Sequence, residues 1–240
     1  MRLDVICHQC ACRVDSKGKR VKYVFLSHAL TRELPVYGGG ANLEITQVKS
    51  LEGGDSSNVY RFGMENHWGT HVDCPAHFFQ NGMRISDYAA TEWIFESPFL
   101  LETGMNENRV IIPEDVFSVP ETADMLLIKT GFACLRGSEK YVMKNPGFSP
   151  EAGFWLRKNR PAVRAVGFDF VSLSPFHNRE MGREAHRAFL DPEGENAPIR
   201  IIEDMHLIGN ISRLVSVWVA PLVIEGLDSA PCTVIGALEE

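Results

Sequence analysis

Nowhere in these 240 residues does an apolar run approach the roughly 20 positions that a membrane-spanning helix needs. The N-terminal stretch MRLDVICHQCACRVDSKGKR also lacks the continuous apolar core of a secretory signal, so a soluble, cytoplasmic protein is the expectation. Cysteine is scarce. There are six, three of them between Cys7 and Cys12, too few and too unevenly placed for a secreted disulfide framework, and reduced thiols are expected. Basic charge is in deficit as well: 24 Lys and Arg stand against 31 Asp and Glu, interspersed, leaving no basic stripe to neutralise a phosphate backbone. Nucleic acid and membrane are therefore not expected partners. Neither a fixed-period repeat nor a Pro/Gly-rich stretch long enough for a linker appears. One domain with one substantial core follows. The only boundary is near residue 20, where polar Asp15–Arg20 separates a cysteine-rich extension (residues 1–20, expected to be flexible) from the domain at 21–240.

From Lys22 onward, short β-branched or aromatic runs alternate with turn clusters, which predicts an α/β chain rich in strands. Strands are expected at Val21–Leu26, Leu43–Val48, Val59–Met64, Met125–Thr130, Ala165–Phe170, Ile199–Glu203, Leu214–Val219 and Thr233–Ala237. Some of these runs alternate and others are continuously apolar, so some strands should be half exposed and others covered on both faces. Two helices have readable starts and stops. Ser149-Pro150-Glu151 offers a capping hydroxyl, a proline for the first turn and an acid near the helix start, ahead of Ala152–Arg160 and the stop at Pro161. The second, Gly182–Leu190, ends at Asp191-Pro192 and carries His186.

The chemistry concentrates in the run from His67 to His77, HWGTHVDCPAH, which holds three of the eight histidines and one aspartate. His71 and Asp73 follow His67 at even separations, so an extended backbone would set all three on one side, whereas a helix would scatter them. Gly69 and Pro75 oppose a helix and permit a tight turn that converges side chains. Two imidazoles and a carboxylate converging make a normal ligand shell for Zn²⁺ or Mn²⁺. As a mere accident, such crowding would carry a desolvation cost with nothing to offset it.

This run also resembles the HxGTHxDxPxH signature of the cyclase family, which includes bacterial kynurenine formamidases (arylformamidases) and isatin hydrolases, and no position of that signature is violated. The resemblance extends over most of the chain from about Tyr23. Leu26-Ser27-His28 with Pro35-Val36-Tyr37 is similar to the family's opening strand and loop, and Asn145–Ala152 to its helix entry. Val166-Gly167-Phe168-Asp169-Phe170-Val171-Ser172 resembles its G-x-D-x-x-S strand end, and His186 with Ile201-Ile202-Glu203 its late histidine and glutamate. The fold implied is the swivelling β/β/α type, assembled as homodimers or homotetramers. Carried over by position, the resemblance implies that His67, His71 and Asp73 bind one divalent metal, zinc or manganese. Asp73 would bridge to a second ion held by His186 and Glu203, and His77 would be the acid–base residue. The segment Asp191–Asn196 is longer than the family's spacing, and Phe25 replaces an acidic residue of the opening strand.

The activity implied is hydrolysis of an amide-type C–N bond in a small molecule, of the arylformamidase kind that cleaves N-formylkynurenine in tryptophan catabolism. A lactam or cyclic-imide hydrolase like isatin hydrolase is the alternative within enzymes, and a non-catalytic metal-binding or ligand-binding module is the alternative outside them. Retention of His77 favours an enzyme, because the metal shell does not require it. Trp68, inside the ligand run, is a candidate pocket wall for substrate. Other features carry less. Cys7-His8-Gln9-Cys10-Ala11-Cys12 has no downstream ligand pair, Gly38-Gly39-Gly40 lacks the setting of a phosphate cradle, and the serines lack a nucleophile elbow. Asp169 reads as structural.

Overall fold

The computed structural model describes residues 13, 14, 20–32, 34, 37 and 40–240. The leader cysteines and Pro35, Val36, Gly38 and Gly39 of the opening loop lie outside the described residues. The first strands are β1 (Arg13–Val14), β2 (Arg20–Phe25), β3 (Glu44–Lys49), β4 (Val59–Gly63) and β5 (His71–Asp73). There follow β6 (Ile94–Phe95), β7 (Pro98–Glu102), β8 (Val110–Ile111), β9 (Met125–Lys129) and β10 (Gly147–Phe148). The last are β11 (Ala165–Phe168), β12 (Arg200–Glu203), β13 (Leu214–Pro221) and β14 (Ser229–Glu239). The helices are α1 (Pro113–Val116), α2 (Glu139–Met143), α3 (Pro150–Asn159) and α4 (Arg179–Leu190). All eight expected strands and both expected helices form. Strands β1, β5, β6, β8 and β10, of two or three residues, and the one-turn helices α1 and α2 are additions too short to show a period in the sequence, and β7 is a further addition whose run opens on Pro98.

Ten strands join one sheet in the order β1-β2-β14-β5-β12-β11-β9-β7, with β13 against β14 and β6 against β13. Strands β12, β11, β9 and β7 run parallel, while β5 lies antiparallel between β12 and β14. The eleven-residue β14 turns the corner: its first residues pair with β5 and its last with β2. Because β13 also reaches β6, which leads straight into β7, the sheet nearly closes on itself.

The period of two along the strands sorts the core into two clusters. Leu126, Ile128, Val166, Phe168 and Ile201 face one way, onto Ala152 and Leu156 of α3 and Ala185 and Phe189 of α4. Met125, Leu127, Ala165, Ile202 and Val72 face the other way, onto Val217, Val219 and Val234 of the curled half. Val72 therefore points away from the helices, and its neighbours His71 and Asp73 point toward them. Helix α3 starts where expected, with the Ser149 hydroxyl accepting from the Ala152 amide and Pro150 in the first turn. After the segment that follows α4, β12 pairs with β5 so that Glu203 stands opposite His71. Buried Arg157 gathers that segment, donating to the carbonyls of Ala188, Asp191 and Asn196 at 3.1, 2.8 and 2.7 Å.

One element stands apart. Strands β3 and β4 form a separate two-stranded ribbon in which every residue except Ile45 is exposed, Val48, Tyr60 and Phe62 at 50%, 55% and 59%. Among the described residues no helix is long and apolar enough to cross a membrane.

Candidate metal centre and active site

Sheet register assembles the site. Glu203 of β12 pairs across from His71 of β5, and Ser229 at the start of β14 pairs across from Asp73, so four polar side chains share one face of three adjacent strands. His67 comes from a turn preceding β5. The tight turn that Gly69 permits is present: its φ of +65° suits glycine, and its carbonyl, 2.8 Å away, accepts from His71 Nδ1. Pro75 opens the 3₁₀ turn Pro75–His77, which folds His77 back until its ring lies 4.3 Å from that of His67. His186 reaches in from α4, and its ring stacks 4.9 Å from Phe78.

The donor atoms are close. His67 Nδ1 lies 3.1 Å from Asp73 Oδ1, and His71 Nε2 lies 3.5 Å from the same oxygen and 3.4 Å from Glu203 Oε2. His186 Nε2 is 3.5 Å from Glu203 Oε1 and 3.9 Å from Asp73 Oδ2. Three trios have ligand atoms within 4.8 Å of one another: His67, His71 and Asp73; Asp73, His77 and His186; His67, His77 and Asp228. All five residues expected as metal ligands are thus brought together, with His77 at their edge.

The donor set fits a divalent ion. His71 and His186 each turn Nδ1 to a backbone carbonyl, of Gly69 and Gly182 respectively, both at 2.8 Å; a carbonyl only accepts, so Nδ1 carries the proton and Nε2 keeps its lone pair. His71 Nε2 is buried, faces two carboxylates and has no hydrogen-bond partner. Such a lone pair among anions is favourable only with a proton or a cation between them. Leu173 N donates to Glu203 Oε1 at 2.7 Å and Ser229 Oγ to Asp73 Oδ1 at 2.7 Å, which fixes both carboxylates from behind.

Protonation of the ion-free site follows the same logic. Burial opposes charge on His67, but the carboxylates of Asp228 and Asp73 outweigh it and raise its pKa to about 10. Burial likewise opposes charge on His71 and His186, yet Asp73 and Glu203 hold both above the ordinary imidazole value. Burial would neutralise Asp73 and Glu203; the facing imidazoles win, keeping Asp73 well below its usual range and Glu203 down to about 2. Without a metal, the site holds protons in its place.

Asp228 was not evident from sequence. Its Oδ2 lies 2.8 Å from His77 Nδ1 and 3.6 Å from His67 Nε2, and Oδ1 accepts from Asn66 Nδ2 at 3.0 Å. These contacts put its carboxyl pKa below the usual range. Its only local signal is an acid in the turn Gly226-Leu227-Asp228-Ser229, and nothing there reports that β14 will pair beside β5. Behind the floor, Asp204, at a left-handed φ of +53°, receives a bidentate pair from Arg136 and the Tyr141 hydroxyl. Its carbonyl accepts from Thr70 Oγ1 at 2.5 Å, tying the β12 end to the residue before His71. Asp169, by contrast, is fully engaged by Thr130 and Gly131 at a strand end.

Above the donors lies a cavity of about 250 Å³ walled by Leu34, Tyr37, Trp68, Phe78 and Val171. Trp68, the expected pocket residue, is 4% exposed within that wall. Phe25, which replaces an acid, points to solvent at 67% exposure.

The family model described as "Putative cyclase" matches residues 24–175, more than half of the chain. The chain belongs to the Cyclase family. This Cyclase-family chain is 26% identical over 222 residues to Cyclase-like protein 1 of Arabidopsis thaliana, covering 86% of this chain and 81% of that one. It is 28% identical over 168 residues to a kynurenine formamidase of Geobacillus thermodenitrificans, covering 69% and 77%. Among solved structures, isatin hydrolase A from Labrenzia aggregata bound to benzyl benzoate superposes with a TM-score of 0.76 at 21% identity, covering 92% of this chain and 94% of that chain. At that identity the likeness establishes the fold, which is the one expected.

Proposed function

We propose that this protein is a metal-dependent hydrolase that cleaves the amide-type C–N bond of a small aromatic molecule, most closely an arylformamide of the N-formylkynurenine kind. The observation that carries this reading is the convergence of His67, His71, Asp73, His186 and Glu203 beneath an aromatic-walled cavity, with a histidine beside them that is not needed to hold metal. Zinc or manganese, one or two ions per chain, would be held by those five residues, with Asp73 shared between two positions. Such an ion polarises a carbonyl oxygen and lowers the pKa of water from about 16 toward 7.

The chain's own groups do the rest. Trp68, Tyr37 and Phe78 hold the ring and exclude water from the floor. Asp228 accepts the Nδ1 proton of His77, which leaves Nε2 free to accept a proton and deliver it to the departing nitrogen. Asn66 holds Asp228 in place for that task. A relative named kynurenine formamidase supports the formamide reading. The free thiols Cys74, Cys134 and Cys232 suit a cytoplasmic location.

We also infer that the working form is a homodimer or homotetramer. A two-stranded ribbon with water on both faces is marginal by itself, and the exposed Val48, Tyr60 and Phe62 of β3 and β4 suit an isologous contact with a second copy. Sedimentation of wild type against Tyr60→Ser/Phe62→Ser should show the assembly shrink; a wild-type monomer overturns the inference.

The function is tested by screening metal-reconstituted protein against N-formylkynurenine, formanilide, isatin, cyclic imides and simple lactones. Release of formate from the arylformamides is expected. Turnover confined to isatin would shift the assignment to a lactam hydrolase, and no C–N cleavage anywhere would refute it.

A further inference from the structure

We infer that His28 and His206 form a separate binding site for a divalent transition-metal ion of the imidazole-preferring kind, such as copper, nickel or zinc. It lies in a cavity that shares no lining residue with the proposed active site. The inference goes beyond the hydrolase reading and does not depend on it.

The chain following β2 and the chain following β12 bring the pair together. Ser27 and Met205 bridge as antiparallel partners, and the His206 amide donates to the Leu26 carbonyl at 2.9 Å. The His28 amide donates to Thr70 Oγ1 at 3.0 Å, and the Val234 amide to Ser27 Oγ at 3.1 Å. Both backbones are therefore fixed before any ion arrives. The two rings meet edge to face, with centres 4.8 Å apart and planes at 68°. His67 and His71 of the catalytic floor stand in nearly the same relation, at 5.2 Å and 86°. With Phe25, Ser27, Ala29 and Thr233, the rings of His28 and His206 line a cavity of about 430 Å³. That leaves room for an ion and for the waters that complete its shell.

A second observation singles out His28. Among the described residues, two imidazole nitrogens are buried without a hydrogen-bond partner: His71 Nε2, which faces the floor carboxylates, and His28 Nε2. Buried polar atoms are nearly always satisfied, so each calls for an occupant. On the floor a proton can stand in for the ion. At His28 it cannot, because burial, with Arg136 and His206 adding to it and Asp204 opposing it, brings the pKa down to about 4. The ring is therefore neutral at pH 7, the form that ligates metal. No carboxylate lines this cavity, which disfavours calcium and magnesium, whereas neutral imidazoles suit copper, nickel and zinc.

The plain alternative is two histidines packed edge to face with nothing between them. Titrating zinc-loaded protein with Ni²⁺ separates the two, with histidine ring protons followed by NMR in wild type, His28→Gln and His206→Gln. The thiols of Cys7, Cys10 and Cys12 can take nickel of their own, so the readout is the difference between wild type and variants. Nickel that enters by displacing zinc is subtracted as zinc released. Wild type should take up one equivalent that each variant binds at least about tenfold more weakly. The same additions should broaden the two resonances that the variants assign to His28 and His206. Should one variant fail to fold, the other still assigns its resonance, and broadening of that resonance in wild type decides. Equal nickel uptake by all three proteins, or additions that leave both resonances sharp, overturns the inference.

Discussion

His67, His71, Asp73 and His77 come from eleven consecutive residues, whereas His186, Glu203 and Asp228 are gathered from a helix, a strand end and a turn more than a hundred residues further on. The first group needs only a tight turn at Gly69, a three-residue strand and a 3₁₀ turn. The second needs the whole sheet: β12 and β14 must both pair with β5, in the register that sets Glu203 beside His71 and Ser229 beside Asp73. Local sequence therefore supplies one half of the proposed ligand shell and the global fold supplies the other. A one-residue slip of β12 would turn Glu203 away from the floor.

Removing one proposed ligand from each half should have the largest effect. His71→Ala should lose most of the bound metal and nearly all turnover, because His71 faces both Asp73 and Glu203. His186→Ala should lose at most one of two ions, since the motif-encoded trio stays intact. Elemental analysis of both variants decides it; identical losses would show that the halves do not hold separate positions, and full metal in His71→Ala would remove the motif from the metal shell.

His77 is the next test, because it belongs to the motif but leans on Asp228 from the other half. His77→Ala should keep its metal and fold and lose turnover by about 10²–10⁴. The loss should be smaller for an anilide than for an alkyl amide, whose more basic nitrogen needs a proton to depart. Metal loss would make His77 a ligand.

Asp228 measures how strongly one half supports the other. Asp228→Ala should lower kcat by about 10–100-fold with metal retained, and Asp228→Asn, which still accepts the Nδ1 proton, should lower it less. Metal content falling in both variants would assign Asp228 to the shell instead.

The smallest effect is on stability of chelator-treated protein. His67, His71 and His186 have raised values, so their stabilisation is complete below about pH 6.5 and is lost as pH rises through their folded values, about 10 for His67. Asp73, Glu203 and Asp228 are lowered, so theirs is complete above about pH 4.5 and is lost as pH falls through their folded values, about 2 for Glu203. Urea midpoints should therefore peak between about pH 4.5 and 6.5, and metal should move the peak upward by replacing protons. A flat profile contradicts this account of the ion-free site.

The sequence revealed the motif, and the long strands and helices that carry it, because each leaves a period or a cap that side chains report locally. It did not reveal β7, whose run Pro98–Glu102 opens on a proline, or α2, which has no room for a second turn. The alternation holds for His71 and Asp73 of β5, whereas His67 joins them through the turn that Gly69 permits, at a φ of +65°. Glu203 could be placed only through resemblance, and Asp228 not at all, because cross-strand register is a property of the folded sheet rather than of either segment.

If the two halves together hold a divalent ion that makes the pocket a C–N hydrolase, as proposed, turnover must follow metal occupancy. Formanilide hydrolysis by one preparation, measured as purified, after stripping with chelator and after reloading with zinc or manganese, tests it most directly. Formate release should disappear on stripping, with protein still folded, and return on reloading in proportion to bound metal. Turnover that survives complete stripping, or that never appears at full metal occupancy, would contradict it.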